Sequence, residues 1–256
     1  MKGLSVIKVG GAVLEEERSM KAFLGHFSAL AGPKVLVHGG GRTATRVAGS
    51  LGIETRMVGG RRVTDGKMLE VVTMVYGGLV NRRVVAALQS LGTDAVGLTG
   101  ADMGVVLARK RPPVEVDGVP VDYGFVGDVI SVDSGKLRLL LREGLVPVMA
   151  PLTCDSDGNI LNTNADTIAS SIASAMAREY DVTLTFCFEK AGVLDSEGRP
   201  LARIDREVYE KMKESGAVSG GMVPKLDNAF DALTKGVTAV RITDSVNLTG
   251  GTLIYG

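Results

Sequence analysis

Short apolar runs that end in glycine alternate with segments of helical period along most of this sequence, and that alternation admits few folds. Strand-like runs fall at residues 1–9, 34–37, 95–100, 145–152, 182–188, 237–243 and 252–255. Between them lie helical segments at 19–30, where Met20, Phe23, Leu24, Phe27 and Leu30 share one face, and at 42–51, 68–79, 81–91, 136–142, 167–178, 205–215 and 222–235. Gly77 and Gly78 are expected to interrupt or tighten the helix that contains them. Residues 182–188 are almost continuously apolar, as in a parallel strand covered on both faces. The pattern predicts an α/β protein: a three-layer αβα sandwich with an open, mainly parallel central sheet. One stretch departs from it. V-E-V-D-G-V-P-V alternates about Asp117-Gly118, predicting a β-hairpin insertion suited to act as a flap over a site. The 256 residues fit a single domain, and the strand-helix pattern restarts near Tyr180, which divides it into sub-lobes 1–179 and 180–256.

Within this frame the first strand, V-I-K-V-G-G at 6–11, carries a lysine in an apolar run. A buried ammonium is costly without an anion, so Lys8 is expected to direct its charge toward the Gly10-Gly11 turn and a ligand there. The chain's 34 glycines are gathered in short loops, where free amides form concave donor sites for anions. His38-Gly39-Gly40-Gly41 joins a strand to a helix, another natural anion site.

Charge excludes some partners. Lysine plus arginine equals aspartate plus glutamate at 29 each, so no global field favours nucleic acid or an acidic membrane. Cys154 and Cys187 sit in apolar contexts without C-x-x-C spacing and read as reduced core residues, while His26 and His38 lie near no cysteine and in no metal motif. No protein metal site is expected. The opening run is too short and wrongly flanked for a signal peptide, and no apolar stretch is judged long enough to span a membrane, so a cytoplasmic location is expected.

Three chemistries compete for the glycine loops. Gly39 to Ala44 matches G-x-G-x-x-A, but Gly59, Gly60, Arg61 and Arg62 stand where a dinucleotide site needs an acidic residue. Gly66-Lys67 and Gly135-Lys136 lack the rest of a P-loop. Phosphoryl transfer without a P-loop remains, with separated glycine turns and lysines converging on one nucleotide. Lys225 follows a glycine loop at 219–221, with Pro224 suited to a first helical turn. Asp166 lies in the first turn of its helix, where the dipole alone accounts for a carboxylate or where it holds two lysines in place. Asn162 and Asn164 either cap that helix or bind a polar substrate.

Together, K-V-G-G at 8–11, H-G-G-G at 38–41, G-R-R-V-T-D at 60–65, N-T-N-A-D at 162–166 and G-G-M-V-P-K at 220–225 resemble, in that order, the amino acid kinase family. The likeness is strongest to its branch that phosphorylates N-acyl-glutamates. V-G-L-T-G-A-D at 96–102, Y-G-F-V-G-D at 123–128 and A-G-V-L at 191–194 extend it over essentially the whole chain. The resemblance implies the amino acid kinase fold, with 1–179 binding the acyl-glutamate and 180–256 binding ATP with Mg2+. It implies that Lys8 and Lys225 flank the transferred phosphoryl, that Asp166 organises them, and that the backbone of Gly10, Gly11, Gly40 and Gly41 meets phosphate and substrate. Arg62 would hold the substrate α-carboxylate and Asn162 would bind nearby, with residues 62–80 lining the acyl pocket. Glu189, Lys190, Gly192, Gly220 and Gly221 would serve the nucleotide, although Glu189-Lys190 replaces the family's usual aspartate and small-residue turn. It further implies a homodimer without arginine feedback, because the chain begins almost at the first strand. The expected reaction is phosphorylation of the side-chain carboxylate of N-acetyl- or N-succinyl-L-glutamate, a step of arginine biosynthesis. Related kinases of aminoadipate, carbamate, aspartate, uridylate or glutamate match less well, and a catalytically silent sensor is disfavoured by the intact Lys8, Asp166 and Lys225.

Overall fold

The structure, a computed structural model, describes residues 2–188, 191–195, 197–218, 222–244 and 246–256, without the side chain of Pro224. Eight strands form one sheet in the order Arg203–Ile204, Thr252–Ile254, Ala239–Thr243, Tyr180–Cys187, Lys2–Val9, Lys34–His38, Val146–Met149, Ala95–Leu98. All neighbours are parallel except Ala239–Thr243 and Thr252–Ile254. Lys2–Val9 sits in the middle, paired along its whole length with Tyr180–Cys187, so the sheet runs unbroken through the expected sub-lobe boundary.

Period-2 alternation assigns each face of the sheet its own core. Leu4 and Val6 share one face with Val35, Val37, Leu184 and Phe186, and pack against Ile168, Ala169 and Ile172 of the helix Ala165–Met176 and Leu226 and Phe230 of the helix Met222–Thr234. Ile7, Val9 and Leu36 share the other face with Phe23, Leu24 and Phe27 of Glu17–Ala29 and with Val84 and Leu88 of Asn81–Ser90. Helices thus cover both faces, and the αβα sandwich is as expected. Truncating a fully buried Phe23 or Phe27 would cost about 3–5 kcal/mol.

Three elements differ from the sequence reading. Residues 145–152, expected as one strand, divide before Pro151: Val146–Met149 stays in the large sheet and Leu152–Cys154 enters a second, four-stranded sheet with Ile160–Asn162, Val106–Lys110 and Gly127–Val132. Gly77 and Gly78 neither break nor tighten their helix. They lie in a π-helical turn, Thr73–Val80, inside one helical run from Gly66 to Ser90. That run is long and apolar enough, by length and composition, to cross a membrane, which corrects the expectation that no such stretch exists. Its Met68, Val71, Val72, Val75, Val80, Val84 and Leu88 are buried in the protein's own core. The hairpin Val114–Val116 with Val119–Val121 forms as expected, Asp117 and Gly118 both adopting the positive φ (51° and 78°) of a two-residue hairpin turn.

Candidate active site

The parity that buries Leu4 and Val6 also directs Lys8 toward the helix Ala165–Met176, at the end of the strand where that helix begins. Lys8 Nζ lies 2.9 Å from Asp166 Oδ1, and its side chain is 12% exposed. This is an ion-pair contact without hydrogen-bond angles, so among the described residues the buried Oδ1 has the lysine's charge beside it and no hydrogen-bond partner. Asp166 is in the helix's first turn, favoured by the dipole, and Asn164 caps the same helix by accepting from the backbone N–H of Asp166 and Thr167 at 2.8 and 3.1 Å. Of the two functions open to the asparagines, capping therefore falls to Asn164. Asn162 ends a strand instead and donates Nδ2–H to Thr64 Oγ1 at 2.9 Å, while Thr64 Oγ1 donates to Arg62 O at 3.0 Å.

Lys225 comes from the far half of the chain to the same spot. Its Nζ lies 3.5 Å from the centre of the Phe188 ring, and that of Lys8 lies 5.5 Å from the same centre. The two ammonium groups cannot be further apart than those distances laid end to end. Phe188 follows the strand Tyr180–Cys187, stacks on Phe186 and offers its π-face to both cations. Sequence reasoning missed it as a site residue, although its position at the end of the strand neighbouring Lys8 was a usable signal.

The two N-terminal glycine turns pack backbone against backbone. Gly39 N donates to Val9 O at 3.0 Å, and a Cβ on Gly11 would meet Gly40 N at 3.1 Å. Gly10 caps the short helix Gly11–Glu15, and Gly40 caps Gly41–Ser50. A Cβ on Gly40 would stand 2.8 Å from the Tyr76 ring, so close approach requires this glycine. Both turns present helix N-termini without acidic residues in the first turn, which suits an anion.

Arg62 is 7% exposed and is engaged by its own fold: Nη2 donates to Gly41 O and Thr45 Oγ1, each at 2.8 Å, and Nη1 to Thr55 Oγ1 at 3.1 Å. It ties the first turns of the helix Gly41–Ser50 to the hairpin Met57–Val58/Arg61–Arg62. Arg62, Gly39–Gly41, Tyr76 and Asn162 line a cavity of about 190 Å3. Asn164 and Asp166 border a larger one of about 470 Å3 along the helix Ala165–Met176. Arg61 lines both cavities.

His38 is fully buried. Its Nδ1 pairs with Gly39 O at 2.9 Å and its Nε2 with Asn81 Nδ2 at 3.0 Å, which also donates to Val148 O. Burial pushes its pKa down to about 4, so the ring is neutral and serves as a strut beneath the Gly39–Gly41 turn. Asn81, unnoticed in the sequence beyond starting a helix, fixes it there. Gly192 packs against Thr252, whose Oγ1 a Cβ would approach to 2.6 Å. Glu189, Lys190, Gly220 and Gly221 lie outside the described residues. Burial raises the Cys187 thiol to about 12, an inert core group. Among the described residues no group of three or more His, Cys, Asp and Glu side chains gathers to hold a metal ion.

An αβα sandwich that gathers Lys8, Lys225 and the Asp166 carboxylate beside the ends of its central strands, where the glycine turns lie, defines a phosphate-handling α/β protein. The chain belongs to the amino acid kinase family, whose profile matches residues 3–244. It is 55% identical over 243 residues to the acetylglutamate kinase of Bacteroides thetaiotaomicron, spanning 94% of this chain and 93% of that one. It is 54% identical over 256 residues to the acetylglutamate kinase of Phocaeicola vulgatus, spanning 98% of each. Among solved structures, that of smu.665 from Streptococcus mutans UA159 superposes with a TM-score of 0.79 at 27% identity, covering 98% of both chains.

Proposed function

We propose that this protein transfers the terminal phosphoryl group of ATP to the side-chain carboxylate of N-acetyl-L-glutamate or a close N-acyl analogue, a biosynthetic step on the way to arginine. The observation that carries the reading is the convergence of Lys8, Asp166 and Lys225 about Phe188, in a chain more than half identical to proteins named acetylglutamate kinase. A free glutamate side chain has a pKa of about 4.3 and is ionised at neutral pH, so the nucleophile needs no general base. The buried, neutral His38 is in keeping with that. What the reaction requires is two anions aligned and relieved of repulsion. Lys8 and Lys225 supply positive charge where it grows between donor and acceptor oxygens, and Asp166 holds Lys8 in one direction. The amides of Gly11, Gly40 and Gly41 donate to phosphate or substrate oxygens, Arg62 adds its charge for the α-carboxylate, and Asn162 keeps its carbonyl oxygen for the substrate's amide N–H.

In this reading residues 1–179 serve the acyl-glutamate and 180–256 the nucleotide, with Glu189, Lys190, Gly192, Gly220 and Gly221 assigned to the nucleotide from the sequence. The donor set fits Mg2+ carried by the nucleotide phosphates, because that ion keeps several waters and needs only one or two carboxylates, of which Asp166 is the near one. Bound so, it neutralises phosphate charge. We also propose a cytoplasmic homodimer; exposed Met74 and Leu79 on the long helical run supply apolar surface for self-association. Sedimentation of the purified chain tests this, and a monomer at micromolar concentration would exclude it. For the reaction itself, hydroxylamine traps acyl phosphate as hydroxamate. Product is expected with ATP, Mg2+ and an N-acyl-L-glutamate, and absence of hydroxamate with every N-acyl-glutamate tried would overturn the assignment.

A further inference from the structure

A second arginine stands beside the cavity that Arg62 lines. Arg61 and Arg62 are adjacent on one strand of the hairpin Met57–Val58/Arg61–Arg62, so their side chains leave opposite faces. Arg62 turns inward to Gly41, Thr45 and Thr55. Arg61, only partly buried, lines the cavity that holds Arg62, Gly39–Gly41 and Asn162, and also the larger one beside Asp166.

No hydrogen bond or ion pair holds the Arg61 guanidinium among the described residues. The carboxylate that attracts it, Asp128, is already taken by Arg111, whose Nε donates to Asp128 Oδ1 at 3.0 Å with Nη2 on the same oxygen. Burial opposes the charge of Arg61, and Arg111 repels it. A guanidinium kept partly desolvated, beside another cation and facing a ligand cavity, is satisfied when an anionic group arrives from the ligand. The neighbouring wall is made of Met57, Gly60, Val126 and Pro151, which accept a short aliphatic chain and offer no side-chain charge. An acetyl group ends in a methyl and gives Arg61 nothing to bind. An acyl chain that ends in its own carboxylate gives it a bidentate partner.

We propose that Arg61 binds a carboxylate at the far end of the substrate's N-acyl group, so that the preferred substrate is an N-carboxyacyl-L-glutamate such as N-succinyl-L-glutamate, ahead of N-acetyl-L-glutamate. The inference rests on the N-acyl-glutamate kinase reading above and specifies its acyl site. It makes Arg61 a specificity residue, with no part in the phosphoryl transfer itself.

The test compares hydroxamate kinetics on N-acetyl- and N-succinyl-L-glutamate for the intact chain, Arg61→Met and Arg61→Lys. The wild type is expected to show a kcat/KM for the succinyl substrate about tenfold to a hundredfold above that for the acetyl one, the range of a charge-assisted pair. Arg61→Met is expected to collapse that ratio to about one, chiefly by raising KM for the succinyl substrate, and Arg61→Lys to restore part of it. Equal wild-type efficiency on both substrates, or an Arg61→Met variant that lowers both equally, would overturn the proposal and reduce Arg61 to a structural residue. Turnover of the acetyl substrate alone overturns the proposal and leaves the kinase reading standing. Turnover of neither overturns both.

Discussion

Among the described residues Lys8 has one ion-pair partner, Asp166, and that makes its position sensitive to a single atom. Asp166 Oδ1 at 2.9 Å is buried with no hydrogen-bond donor among the described residues, so Asp166→Asn leaves the shape and removes the attraction that directs the ammonium. We expect Lys8→Ala and Lys225→Ala each to lower kcat by about two orders of magnitude or more, as when one preorganised charge-stabilising donor is lost. Asp166→Asn should also lower kcat. Steady-state kinetics decide it: near-normal turnover in either lysine variant removes that lysine from the mechanism. Arg62→Ala is expected to raise the substrate KM and also to lower the melting temperature, because its guanidinium holds Gly41, Thr45 and Thr55 together. An unchanged melting temperature would show that those bonds contribute little. At this scale the sequence was readable where a residue contradicts its surroundings, as Lys8 does inside an apolar strand. Phe188 and Asn81 contradict nothing around them, and their functions arise from strands and helices that meet only after folding.

The elements that frame the site are joined by glycine contacts of calculable tightness. A Cβ at Gly40 would sit 2.8 Å from the Tyr76 ring, held by the π-helical turn Thr73–Val80. Gly40→Ala is therefore expected to destabilise by about 1–3 kcal/mol, the usual cost of overpacking, and to raise the substrate KM as the turn shifts. Gly49, in the helix that Gly40 caps, is the internal control. Nothing lies within 4 Å of a Cβ there, so Gly49→Ala should stabilise by about 0.5–1 kcal/mol. Urea denaturation of the two variants checks both signs, and a neutral Gly40→Ala would mean that Tyr76 yields freely. Sequence periodicity found both helices but not the widened turn. Gly77 and Gly78 weaken a helix in general, whereas a π-turn depends on what Tyr76 and Gly77 pack against, here the Gly40 turn and Leu152. The same limit hid the small sheet: the strands Leu152–Cys154 and Ile160–Asn162 are three residues each, too short to show a period.

Across the whole molecule, the large sheet was legible because its strands are long, apolar and punctuated by glycine, and the parallel order followed from the helices between them. What the alternation could not reveal is that this sheet buries a titratable group under its active edge. His38 ends the strand Lys34–His38 and is locked neutral by burial, with Asn81 donating to Nε2. Its pKa is about 4 in the folded protein against 6.5 for an exposed histidine. The unfolded chain therefore binds a proton near pH 6.5 that the native state refuses until about pH 4. The stability contributed by this neutral ring is fully present above pH 6.5 and falls as the pH drops toward 4, by about 3 kcal/mol over the interval. Protonation would also turn Nε2 into a donor facing the Asn81 amide, so the loss works on the strut beneath the Gly39–Gly41 turn. Unfolding free energies by urea at pH 7, 6, 5 and 4 are expected to show wild type losing more stability over this range than His38→Gln, which has no proton to take up. Parallel profiles for the two proteins would mean that the acid lability of this fold lies in its carboxylates and not in the buried imidazole.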